Sequence, residues 1–223
     1  KIFSIGKNED LTYPCENLGN STTTIRDIVS DRHKISEQIN KSKKPMFIIG
    51  ESALYGNSGQ YVFESLKSFL KKRNFINDTW NGLNIISQQA SRVGAIDLGI
   101  YSINKDNNFI FFDNIRNDHF KFIYLLGADN FNFTKKDKFV VYQGSHGDKG
   151  AEIADVILPG AAYTEKNGLF VNLEGKIQNA YKASYPPGNA KEDWEIFKSI
   201  SKAMKKNLDF ENLNDLRVKM YQY

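Results

Sequence analysis

Residues 142–174, YQGSHGDKGAEIADVILPGAAYTEKNGLFVNLE, decide how the rest of the chain is read. Two short apolar runs, Val156-Ile157-Leu158 and Leu169-Phe170-Val171, are set off by glycines and by Pro159. That layout predicts two buried strands joined by a shaped loop. Glu165, Lys166 and Asn167 fall between the runs, where strands end and ligands or partners approach. Gly144, Gly147 and Gly150 predict positive φ angles or something pressed close to the main chain.

Outward from that stretch, strands alternate with helices. Residues 2–5, 46–50, 122–126, 139–142 and 154–158 read as strands. Met46 to Gly50 is continuously apolar, which predicts burial on both faces of a parallel sheet. Ile25, Ile28 and Val29 have helical spacing, with Thr22 to Thr24 as the cap, and Ile35 with Ile39 predicts a second helix. Val62, Phe63, Leu66, Phe69 and Leu70 share one helical face, closed by Lys71, Lys72 and Arg73 at the negative end of the dipole. Leu83, Ile86, Ala90 and Val93 predict another helix, and the C-terminal apolar positions from Ile196 to Val218 predict a helical tail. Such alternation implies an α/β, doubly wound, mainly parallel sheet with helices on both faces, spanning residues 1–223 as one domain. Gly50-Glu51-Ser52, Gly127-Ala128-Asp129 and Gln143-Gly144-Ser145 each follow a strand end, so they should gather on one edge, where ligands of such folds sit.

Composition narrows the chemistry. The 223 residues carry 30 Lys+Arg against 26 Asp+Glu, a scattered net charge of +4 with no basic stripe, so no nucleic-acid partner is expected. No run approaches the roughly 20 apolar residues of a membrane-spanning helix, so no direct membrane insertion is expected. The single cysteine, Cys15, allows no internal disulfide and no cysteine-ligated iron–sulfur cluster built from this chain alone. His33, His119 and His146 are dispersed, without the i, i+3 or i, i+4 partner of a histidine metal site. Ser145, His146 and Asp148 spell a catalytic triad but lie too close in sequence to form its hydrogen-bonded line. Gly50, Gly56 and Gly59 fit neither standard phosphate-loop spacing, and a plain strand-to-helix turn is the better reading. Glu165 and Lys166 read as an ion pair or as ligand contacts, the pair being the plainer alternative.

Tyr142-Gln143-Gly144, His146-Gly147-Asp148, Gly150-Ala151 and Ala154-Asp155-Val156-Ile157-Leu158-Pro159-Gly160 through Lys166 resemble the large iron–sulfur subunit of respiratory complex I. Val171 to Gln178 is similar to the hairpin that follows there, and Pro187-Gly188, Ala190 and Glu192-Asp193-Trp194 to its closing motif. The same region resembles the molybdopterin-dependent oxidoreductases. The resemblance implies a molybdopterin-oxidoreductase-like domain with a β-hairpin and C-terminal helices. It also implies a vestigial pterin-site loop made of Gly144, His146, Gly147, Asp148, Glu165, Lys166 and Asn172. The subunit's cysteine-rich modules have no counterpart here, so the chain is expected to be its C-terminal piece, with residues 195–223 helical rather than closing a pterin pocket. No cofactor and no metal are then expected in this chain; FMN and iron–sulfur clusters would sit in partner chains. Expected partners are the N-terminal iron–sulfur part of the same subunit and other peripheral-arm subunits, with residues 109–112 and the C-terminal helices as contact surfaces. The expected place is the matrix side of the mitochondrial inner membrane. Two other functions stay open: a subunit of an active molybdopterin oxidoreductase, and a free nucleotide-binding protein.

Overall fold

The computed structural model describes residues 1–100, 114–115, 117–129 and 133–222. Residues 109–112 lie outside these. The run expected as one domain comprises two compact units, Lys1–Ala90 and Ser91–Tyr223.

In the first unit, β1 (Phe3–Ser4) pairs in parallel with β2 (Glu16–Asn17). α1 (Thr22–Val29) is capped by Ser21, whose hydroxyl accepts from the Thr23 N–H; the serine before the threonine run does the capping expected of the threonines. α2 (Ser36–Lys41), β3 (Phe47–Gly50), a short 3-10 turn at Glu51–Leu54 and α3 (Gly59–Lys72) follow. A Cβ at Gly59 would run into the Leu54 backbone, so this glycine serves the turn rather than a phosphate. β4 (Ile76–Asn77) and β5 (Trp80–Asn81) form a small hairpin, and β6 (Leu83–Ile86) pairs in parallel with β3.

Two expectations change here. Leu83 and Ile86 belong to a strand, not a helix: over four residues a spacing of three suits either element, and the ladder to β3 satisfies the backbone in the extended form. Among the described residues, β3 is covered on one face only. Ile49 joins Ile25, Val62 and Leu66, and Phe47 packs on Ile28, Ile35, Ile39, Phe69, Leu70 and Phe75. The opposite face leaves Ile48 55% exposed, because these helices all deliver their apolar residues to the same side.

The second unit opens with α4 (Arg92–Asp97). β7 (Phe122–Leu126), β8 (Phe139–Gly144), α5 (Lys149–Glu152) and β9 (Val156–Pro159) build a parallel sheet in the order β7-β8-β9. Its register sets Leu125 beside Tyr142 and Gln143 beside Leu158. β10 (Gly168–Val171) and β11 (Ile177–Ala180) make the antiparallel hairpin, and Gly94 of α4 lies against Val171. α6 (Asp193–Ala203) and α7 (Leu213–Met220) complete the unit.

One sheet face holds Ile123, Leu125, Val140 and Tyr142, packed with Ile115 and with Ala151 of α5. On the other face the Tyr124 ring stacks on Phe197 of α6 at 5.7 Å between centroids. Helices thus cover both faces of this sheet, as a doubly wound α/β fold requires. Val156 and Ile157, expected to be buried, are exposed because β9 is the edge strand. Asp155 anchors that edge. Its N–H donates to the Val140 carbonyl at 2.8 Å, and its carboxylate accepts from the Val140 N–H at 2.8 Å. Lys135 beside it, helped by that backbone bond, holds the Asp155 carboxyl below its usual range.

Candidate functional site

The carboxyl ends of β7 and β8 gather in the second unit as expected. Gly127 turns the chain after β7 at φ +56°, and its N–H donates to the Gln143 carbonyl at 2.8 Å. Gly50, the third strand end, tops the β3–β6 sheet of the first unit. There the buried carboxylate of Glu51 accepts from the Gln88 N–H at 2.7 Å and from the Ser87 hydroxyl at 3.2 Å.

The glycine-rich loop after β8 contradicts half of its expectation. None of Gly144, Gly147 and Gly150 has a positive φ. Close approach is real at two of the three, and what approaches is the chain itself. A Cβ at Gly144 would fall on the hydroxyl end of Tyr142. One at Gly150 would lie 2.9 Å from the Tyr142 ring and 3.0 Å from the Ala128 carbonyl; Gly147 faces open space.

Tyr142 is 1% exposed. Its hydroxyl has one proton for two acceptors, the Asp129 carboxylate and the His146 carbonyl, the latter at 2.7 Å. Burial first, and the bond to Asp129 second, push the phenol well above its usual range. His146 is exposed, its Nδ1 2.9 Å from the Ser145 hydroxyl, and Asp148 is exposed beside it.

Gln143, completely buried, organises the other side of the strand end. Its carbonyl oxygen accepts from the Tyr124 hydroxyl and its amide donates to Asp193 at 2.8 Å. Asp193, in the first turn of α6, also receives the Lys166 ammonium at 2.5 Å. Burial, then the Asp193 charge, raises the Tyr124 phenol. The candidate residues after β9 therefore serve separate structural ends. Glu165 accepts from the Ala162 N–H at 2.9 Å, and Lys166 pairs with Asp193 rather than with its neighbour. Asn172 sits at the hairpin turn, accepting from the N–H groups of Glu174 and Lys176 at 3.0 and 2.9 Å. Sequence reading placed Asp129 and Gln143 at the gathering strand ends but missed Tyr124 and Asp193 as their companions. The only local signal was the pair Tyr142-Gln143 at the end of an apolar strand, two polar tips where partners must be found.

The whole β7–α6 region, and the first unit before it, matches the molybdopterin oxidoreductase family over residues 1–203. The chain belongs to that family. Among curated relatives it is similar to the NADH-ubiquinone oxidoreductase 75 kDa subunit of Reclinomonas americana, 44% identical over 98% of this chain and 31% of that protein. It is 41% identical to a subunit of the NADH-quinone oxidoreductase of Rickettsia typhi, over 99% of this chain and 31% of the relative. The mitochondrial 78 kDa subunit of the Candida albicans NADH-ubiquinone oxidoreductase is 37% identical over 99% of this chain and 29% of its own length. The chain thus spans under a third of each of these relatives.

A molybdopterin oxidoreductase domain that held a pterin cofactor would turn polar groups outward from these loops. Here Lys166, Glu165 and Asn172 are bonded within the fold, and Tyr142 lies against Gly144 and Gly150, while Ser145, His146 and Asp148 are exposed. Asp148, at the exposed rim, would repel a phosphate. The residues present do not fit the group. Among the described residues no three His, Cys, Asp or Glu side chains gather to hold a metal ion, and no helix is long and apolar enough to cross a membrane.

Proposed function

We propose that this chain is a non-catalytic structural part of the peripheral arm of proton-translocating NADH:ubiquinone oxidoreductase (complex I). It supports the cluster-bearing segment, while electrons pass from NADH to quinone through FMN and iron–sulfur clusters held by partner chains. The observation that carries this reading is the 44% identity, across 98% of the chain, with a subunit bearing that enzyme's name. The geometry supports it: Tyr142, Gln143, Glu165 and Lys166 are spent on internal bonds, while several apolar side chains stay at the surface. Phe122 and Phe139 stack at 6.2 Å and are exposed, and α7 buries none of its residues. Covering such surface with partner subunits contributes about 25 cal/mol per Å². The partners are the iron–sulfur part of the same subunit and other peripheral-arm subunits, on the matrix side of the mitochondrial inner membrane.

Deleting residues 193–223 removes α6, α7 and the Asp193 link to Gln143. The expected outcome is loss of the assembled peripheral arm on native gels, and a full yield of active arm without these residues would overturn the proposal. The family match itself favours a second reading, a subunit of an active molybdopterin-dependent oxidoreductase. Metal analysis of the purified assembly separates the two, since stoichiometric molybdenum or tungsten supports the second.

A further inference from the structure

We infer that Tyr142 is an internal plug, an aromatic side chain that fills the hollow between the loops after β7 and β8 and locks both loops shut against a pterin nucleotide. The ring occupies the space next to Gly144 and Gly150, where the absence of side chains opens the main chain to close approach. Its hydroxyl touches both loops at once, through the Asp129 carboxylate on one and the His146 carbonyl on the other. Two backbone bonds draw the same loops together: Gly127 N–H to the Gln143 carbonyl at 2.8 Å and Gly150 N–H to the Asp129 carbonyl at 3.3 Å. A ligand entering here would have to evict a ring that is 1% exposed and belongs to the core cluster with Ile123, Leu125 and Val140. The plug holds whether or not the chain works in complex I, because it concerns only the loops around Tyr142.

The test is hydrogen–deuterium exchange at residues 142–150 of the full chain, with and without guanosine diphosphate as the nucleotide probe. Wild type should exchange slowly at the buried ends of this stretch, Tyr142 to Gly144 and Gly150, and the probe should change nothing. Tyr142→Phe keeps the ring and loses the two-loop bond, so exchange at Gly144 to Gly150 should rise about tenfold with the rest of the β7–β9 sheet unchanged. Tyr142→Ala should open the loops further and admit the probe, seen as slowed exchange on its addition. Should that variant fail to fold, Tyr142→Phe alone decides. Unchanged exchange in Tyr142→Phe, or protection of the wild-type loop by the probe, overturns the plug. Normal assembly of complex I containing Tyr142→Phe leaves it standing, so its failure and that of the assembly role are separable.

Discussion

The two units close their strand ends differently. In the first, a single carboxylate, Glu51, reaches from the end of β3 to the chain after β6 and accepts from Gln88 and Ser87. In the second, two neighbouring residues of β8 share the work on opposite faces. Tyr142 ties the β7 and β8 loops under α5, and Gln143 ties Tyr124, Asp193 and Lys166 under α6. A charged acceptor against a backbone N–H is a local device and tolerates change around it. A buried amide with partners on two elements, one of which also holds Lys166 of the loop after β9, makes sheet, loop and helix depend on one another. The second unit keeps the loop wording of a ligand-binding family while using it as stitching.

That contrast can be broken by measurement. Gln143→Ala deletes a completely buried side chain and strands the Tyr124 hydroxyl, so the cost in denaturant unfolding should be about 3 kcal/mol. Glu51→Gln keeps shape and weakens one charge-assisted acceptor, with an expected loss of about 1 kcal/mol. Equal losses for the two would erase the distinction between the buried amide and the buried carboxylate. The smallest effect sharpens the picture at the surface of the second unit. Hydrogen bonds from Lys136 and Lys138 hold the Asp118 carboxyl down to about 2 from its ordinary 3.8. Because the folded group gives up its proton more readily than the unfolded one, its contribution is complete above about pH 4 and fades as pH falls toward 2. Asp118→Asn, which also suits the φ of +61° there, should flatten that limb of the stability profile; a limb as steep as wild type would remove Asp118 from the account.

Much of this architecture was legible in residue order because it rests on local pattern. The long apolar face of α3 and the runs that became β7 and β8 admit one reading each. Leu83 to Ile86 did not, since four residues cannot distinguish periods of 3.6 and 2 until a partner strand is known. The resemblance carried the family further than periodicity could, and residues 1–203 match it. The site was harder to read. Glycines announce that something lies close, not what lies close, and here the neighbour came from two residues upstream in the same strand. Gln143 and Asp193 meet across 50 positions of sequence, a distance at which composition and spacing carry no information. Glu165 and Lys166 looked like a pair because they are adjacent, yet successive side chains diverge and each found its partner elsewhere.

Asp155 has a consequence for how β9 is allowed to lie. A sheet margin that exposes Val156 and Ile157 invites sliding by one position, which would swap the side of every residue on it. Asp155 grips Val140 through both its main chain and its carboxylate, while the Gly160 N–H donates to the Gly144 carbonyl at 2.9 Å just past the far end. Held at both ends, four residues have a single alignment. The open border is thus guarded against misthreading by its two terminal positions, and a one-residue insertion after Asp155 would defeat both guards together.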